Sequence, residues 1–167
     1  LTFDDGDVTE RGTRLVMNPP IRYAEDRETL WRRLADGTID CIATAHEPCL
    51  EHEKDMEFDL APFGVIGLET ALPVRLDAIA TKGPGGLTDV VAALSCRPAG
   101  VLGLEKGTLS PGAAADITIF DPKHTWEVTP ETLESLSSNS PWLGMKLSGR
   151  VTHLFVAGKI VREPTAG

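Results

Sequence analysis

Ile39 to Thr44 is the stretch that most narrows the folds open to this chain. It is short, largely apolar and flanked by turn residues, and it reads as a strand buried on both faces, as in a parallel sheet. Just before it, Leu30, Trp31 and Leu34 recur at helical spacing within Glu25–Leu34, and Gly37 offers a stop. A helix followed by a buried strand predicts a βα repeat and an α/β fold. The strand runs into the polar turn Ala45-His46-Glu47-Pro48-Cys49. Parallel barrels place their chemistry at that end of their strands.

With 167 residues, 41% hydrophobic and 25% charged, the chain can bury a real core. Its formal charge of −9 argues against nucleic acid or an anionic membrane as the main partner. No apolar run is long enough to span a bilayer, and no basic-then-apolar leader suggests a targeting segment. Cys41, Cys49 and Cys96 form an odd, sparse set, so reduced thiols and a cytoplasmic location are expected. Without a CxxC pair, a closed structural zinc site is not expected.

Elsewhere the elements are plainer. Pro19 and Pro20 force an extended path before the first clear helix. Glu47 to Phe63 reads as a long charged loop in which Glu51, Glu53 and Glu57 are solvated. A helix is expected to run to about Ala80, then a turn at Lys82–Gly86. Thr88 is placed to cap a helix over Asp89–Leu94, and Pro98–Leu102 starts another. Asp116–Phe120 alternates toward a strand, and Arg150–Val161 reads as a hairpin around Ala157-Gly158.

Several short motifs also occur in a telling order. They are Asn18-Pro19-Pro20-Ile21-Arg22, Asp36-Gly37-Thr38-Ile39-Asp40, Glu53-Lys54, Glu57-Phe58, Ala61-Pro62-Phe63-Gly64 and Gly67-Leu68-Glu69-Thr70. Leu94-Ser95, Pro98-Ala99, Leu102-Gly103-Leu104, the Lys106–Pro122 segment, Ser140-Pro141-Trp142-Leu143-Gly144 and Gly149-Arg150-Val151 continue it. Taken together the chain resembles the longer bacterial type of dihydroorotase, within the amidohydrolase superfamily.

That resemblance implies a cyclic amide hydrolase of pyrimidine synthesis, interconverting dihydroorotate and N-carbamoyl-aspartate. It implies the C-terminal part of a (β/α)8 barrel over 1–103, with the C-terminal part of a small β domain over 104–167. A barrel alone takes about 250 residues, so the family's early zinc ligands are expected to lie ahead of Leu1. The family ends the strand with a metal-binding catalytic Asp; Ala45 stands in that place, so no intact catalytic residue and no metal ligand is expected here. Asn18, Cys49, Phe63 and Gly64 occupy positions that meet substrate in the family. Cys49 replaces a histidine, and a thiol is a weak donor for a carboxylate.

Each position also has a plainer reading. Asn18 could serve only its loop, and Gly64 could merely permit a turn. His46 reads as a hydrogen-bonded structural histidine; a new metal site of His46, Cys49 and His52 fits no familiar spacing. His124 and His153 read as surface or sheet residues without a partner. Expected partners are a small-molecule substrate and further copies of the chain. Two other readings stay open: a non-catalytic partner of aspartate carbamoyltransferase, and an allantoinase- or hydantoinase-type amidase.

Overall fold

The computed structural model describes residues 1–81 and 85–164; Lys82, Gly83 and Pro84 of the expected turn lie outside the described residues. Six α-helices appear among the described residues: α1 (Asp5–Arg11), α2 (Ala24–Ala35), α3 (Glu51–Lys54), α4 (Ala71–Thr81), α5 (Leu87–Val91) and α6 (Arg97–Val101). One antiparallel sheet follows, in the order β1 (Ile117–Glu127), β2 (Lys146–Val156), β3 (Lys159–Arg162). Among the described residues, no helix is long and apolar enough to cross a membrane.

Helix α2 forms where the periodicity places it. Glu25 and Asp26 in the first turn and Arg32 and Arg33 in the last complement its dipole. Gly37, at φ 80°, reverses the chain just after it. Of its apolar positions, Leu34 is buried and Leu30 is exposed. Arg75 of α4 stacks on Trp31, its guanidinium carbon 4.2 Å from the ring centre, and so ties α4 to α2.

The segment expected to be a doubly buried strand is not one. Residues 40–45 form no ladder, and Ala43 and Ala45 are exposed. A parallel ladder needs a neighbouring strand along its length, whereas this segment finds one parallel bridge, His46 to Val65. A second tie comes from the helical run. Between α5 and α6 the chain makes a π turn over Ala92–Cys96, with Arg97 N–H reaching back to Ala92 O. In that register Ala93 O faces Pro98, which has no N–H. Ile42 N–H takes the carbonyl instead, at 3.0 Å. The two short helices expected around Asp89–Leu102 are therefore one helical run with a π turn, starting at Leu87 rather than capped by Thr88.

The N-terminal stretch is more ordered than its composition suggests. Asp4 and Asp7 form a reciprocal capping box on α1. The charged loop likewise holds α3, in which Lys54 is 4% exposed.

The hairpin of β2 and β3 turns at Ala157-Gly158 as expected, while β1 extends beyond Phe120 to Glu127. Its register with β2 shifts between Asp121 and Thr125, where Pro122 withholds a donor and Lys123 N–H turns back to Asp121 Oδ1. His153, in β2, does have a partner: its Nδ1 lies 3.1 Å from Thr152 Oγ1.

Ile66, Trp126, Val128, Leu133 and Leu147 make a buried cluster, with Val74, Trp142 and Leu143 packed against it. Trp126 Nε1 donates to Gly149 O at 3.0 Å, and Arg150 covers its ring at 4.1 Å. Gly149 lets α4 approach β2: at φ 107°, a Cβ there would stand 2.4 Å from Leu76 Cδ1. Gly149→Ala is therefore expected to destabilise the protein by about 2–3 kcal/mol, combining overpacking with a positive φ. Chemical denaturation followed by Trp fluorescence measures it.

Candidate functional site

The site is assembled where the 44–49 turn meets the 62–67 loop. Glu47 N–H donates to Val65 O at 2.9 Å, next to the His46–Val65 bridge. Two glycines allow the approach. A Cβ on Gly64 would lie 2.5 Å from Glu47 Cβ, and one on Gly67 would lie 3.2 Å from Thr44 Cβ.

Ala45 sits at the tip of this turn with φ 42°, in the left-handed region. An alanine there is strained, while Asp and Asn tolerate that region more readily. The backbone thus keeps a shape better suited to a short polar side chain than to the methyl group it carries.

His46 is structural, as expected. Its Nδ1 accepts from the amides of Gly67 at 3.2 Å and Leu68 at 3.4 Å, which leaves the ring proton on Nε2 in the neutral tautomer. Among the described residues, no group of three His, Cys, Asp or Glu side chains is arranged to hold a metal ion. Ala45 offers a methyl group and His46 Nδ1 is already engaged, so neither of these two side chains supplies a donor for the metal that the resemblance implies.

Of the other expected site residues, Cys49 lies in the same turn and Gly64 in the loop packed against it, whereas Asn18 and Phe63 are exposed. Asn18 is exposed, on a cis peptide to Pro19, two residues beyond Val16. Val16 O accepts from Gly64 N–H at 3.1 Å, so the Asn18 loop and the Phe63–Gly64 loop are bonded together. Phe63 projects outward, 64% exposed, while Gly64 is buried. Because its amide is already committed to Val16, Gly64 shapes the loop rather than offering a free donor. Cys49 is half-buried, and desolvation pushes its thiol pKa up, which keeps it a neutral thiol near pH 7. An open groove of about 490 Å³ lies between Pro48–Leu50, Glu53 and Ser135–Ser137.

Two residues that the sequence does not single out hold this arrangement. Lys54 Nζ donates to Val16 O at 3.1 Å and to Pro62 O at 2.7 Å. Its own carbonyl accepts from Thr13 Oγ1. Burial lowers its pKa. Asn139, 1% exposed, reaches both sides of the turn–loop contact. The only sequence hints were their places within or beside the ordered motifs, Glu53-Lys54 and Ser140-Pro141-Trp142.

A family model for the amidohydrolase family matches residues 11–161. The chain belongs to the amidohydrolase family. Among relatives, it is 49% identical over 147 residues to a dihydroorotase of Elusimicrobium minutum, covering 88% of this chain and 34% of that protein. It is 47% identical over 165 residues to a dihydroorotase of Anaeromyxobacter dehalogenans, covering 98% of this chain and 37% of that protein. Among solved structures it superposes on the L-hydantoinase (dihydropyrimidinase) from Arthrobacter aurescens with a TM-score of 0.90 and 31% identity, covering 99% of this chain and 38% of that one. The chain therefore spans little more than a third of the length of these relatives. The resemblance to dihydroorotase read from the motifs agrees with these matches, as does the α/β amidohydrolase class.

Proposed function

We propose that this chain is part of a dihydroorotase-type cyclic amide hydrolase whose ring-opening activity is impaired at Ala45. The carrying observation is 45–49% identity to dihydroorotases across most of the chain, joined to the turn geometry at Ala45. On this reading residues 1–103 supply the last elements of a (β/α)8 barrel and 104–167 the C-terminal part of a small β domain. The substrate class is a small cyclic amide bearing a carboxylate, dihydroorotate or its opened form. Asn18 and the Phe63 loop orient it, Cys49 faces its carboxylate weakly, and Lys54 keeps the loops together. Homo-oligomerisation and a cytoplasmic location belong to the same proposal.

The family's chemistry uses a metal-bound hydroxide and a carboxylate that moves its proton. Alanine at position 45 can neither ligate nor carry that proton, so no hydrolytic step is assigned to these residues. The same observation favours a second reading, a non-catalytic partner of aspartate carbamoyltransferase, because the loop framework persists where the carboxylate does not. A hydantoinase- or allantoinase-type specificity is the third, supported by the structural likeness to the L-hydantoinase.

The deciding experiment uses the full-length gene product. Its metal content, its binding and turnover of dihydroorotate, allantoin and hydantoins, and its co-purification with aspartate carbamoyltransferase are measured together. Dihydroorotate binding with feeble turnover supports the leading reading. Preference for a hydantoin or allantoin overturns it in favour of the third. A stable carbamoyltransferase complex without ligand binding favours the second.

A further inference from the structure

We propose that Asn139 is a positioning residue of this site: it fixes the 44–49 turn against the Phe63–Gly64 loop so that both can meet one bound substrate. The proposal rests on the functional reading above. Its Nδ2 donates to Glu47 O at 2.9 Å and to Gly64 O at 3.3 Å. Its Oδ1 accepts from Cys49 N–H at 3.3 Å and lies 2.6 Å from Ser137 Oγ. The Ser137 hydroxyl also reaches Cys49 O. The Asn139 backbone carbonyl accepts from Ile66 N–H at 3.2 Å. One buried carboxamide thus bonds the residues just after Ala45 and the glycine just after Phe63.

The chemistry selects asparagine. A carboxamide offers two donors and an acceptor on one short, rigid group, and here both kinds are engaged. Aspartate would present a second acceptor to two carbonyls, and leucine would leave those carbonyls and the Cys49 amide without this partner. In a buried setting such bonds are strong when satisfied and costly when half-made. Every partner of Nδ2 is a backbone group in the candidate site, and Oδ1 bonds to the amide of Cys49. Among the described residues, none of the side-chain bonds of Asn139 goes to the hydrophobic cluster under the sheet. Its removal should therefore alter the relation of turn to loop before it alters the fold.

The test compares Asn139→Ala, Asn139→Asp and Ser137→Ala with Leu147→Ala in the full-length protein. Leu147 lies in the hydrophobic cluster on β2 and is a partner in none of the Asn139 side-chain hydrogen bonds. Dihydroorotate is the probe. Its Kd is measured by calorimetry, Tm by scanning calorimetry, and the Cys49 amide is followed in protein labelled with 15N-cysteine. The Asn139 variants are expected to weaken binding by about tenfold or more, the equivalent of losing roughly one buried hydrogen bond. They should also abolish the ligand-induced shift of the Cys49 amide. Ser137→Ala, which leaves the carboxamide in place, should weaken binding less but in the same direction. Leu147→Ala should lower Tm while its Kd stays within about twofold of wild type, because it removes apolar burial only.

Folded Asn139 variants with wild-type affinity and an intact Cys49 shift would overturn the proposal. So would a Leu147→Ala affinity loss in proportion to its Tm loss, which would mark a general stability effect. If the Asn139 variants do not fold, unchanged affinity in Ser137→Ala together with an unchanged Cys49 shift overturns it, and weakened affinity sustains it. A wild-type protein that ignores dihydroorotate overturns the functional reading first, and the role built on it falls with it.

Discussion

Replacing Ala45 by aspartate in the full-length protein is expected to raise dihydroorotate turnover by on the order of 10³- to 10⁴-fold, the scale on which loss of one central catalytic group acts. The backbone makes this substitution favourable as well as chemically apt. At φ 42° the position asks for a residue that accepts the left-handed region, and aspartate does so better than alanine. Metal content should rise with turnover. Ala45→Gly separates the two effects. It is expected to stabilise the protein by about 0.5–1 kcal/mol, through relief of the same strain, without restoring activity. Urea denaturation and a dihydroorotate assay on the three proteins check both statements. If Ala45→Asp binds metal and substrate yet stays inactive, the divergence extends beyond this side chain.

Lys54→Met is expected to destabilise the protein by about 2–3 kcal/mol. The substitution keeps the apolar stem but withdraws a charged donor from Pro62 O and Val16 O, and hydrogen bonds to charged groups are the stronger kind. Val16 O retains the Gly64 amide, so the loss falls mainly at Pro62. The pH dependence carries a distinct sign. Burial lowers the folded-state pKa of Lys54 below its usual 10.5, so the unfolded chain holds this proton more firmly. Between the lowered value and 10.5, raising the pH then favours the folded state. The desolvation penalty is present in full below the lowered value and fades as pH rises toward 10.5. The stability gap between wild type and Lys54→Met should therefore widen between the lowered value and 10.5 and level off above it. Denaturation at several pH values on both proteins measures the trend, and a gap that narrows from the start would contradict burial as the cause.

What could be read from the residues followed the reach of each physical signal. Helix α2 was legible because Leu30, Trp31 and Leu34 repeat at 3.6 and acidic and basic residues sit at opposite ends. The hairpin was legible because Ala157-Gly158 interrupts two apolar runs. Helix α1 was not, since Asp-Gly-Asp-Val-Thr-Glu-Arg has no apolar stripe and rests on its capping box. Ile39–Thr44 misled because pairing is a property of neighbours: apolar letters say that a segment can be covered, not that a strand lies beside it. At the site, Ala45 and Cys49 were visible as departures from a motif. Lys54 and Asn139 were not, because their roles come from carbonyls converging across dozens of residues. A lysine among glutamates reads as solvated until those carbonyls are placed.

The three tryptophans each sit in a different contact: Trp31 under Arg75, Trp126 under Arg150, and Trp142 with its ring centre 5.4 Å from that of Phe3. Their emission can therefore serve as three local thermometers. Single-tryptophan versions of the chain would show whether the helical layer, the sheet and the N-terminal arm melt in one step or in sequence.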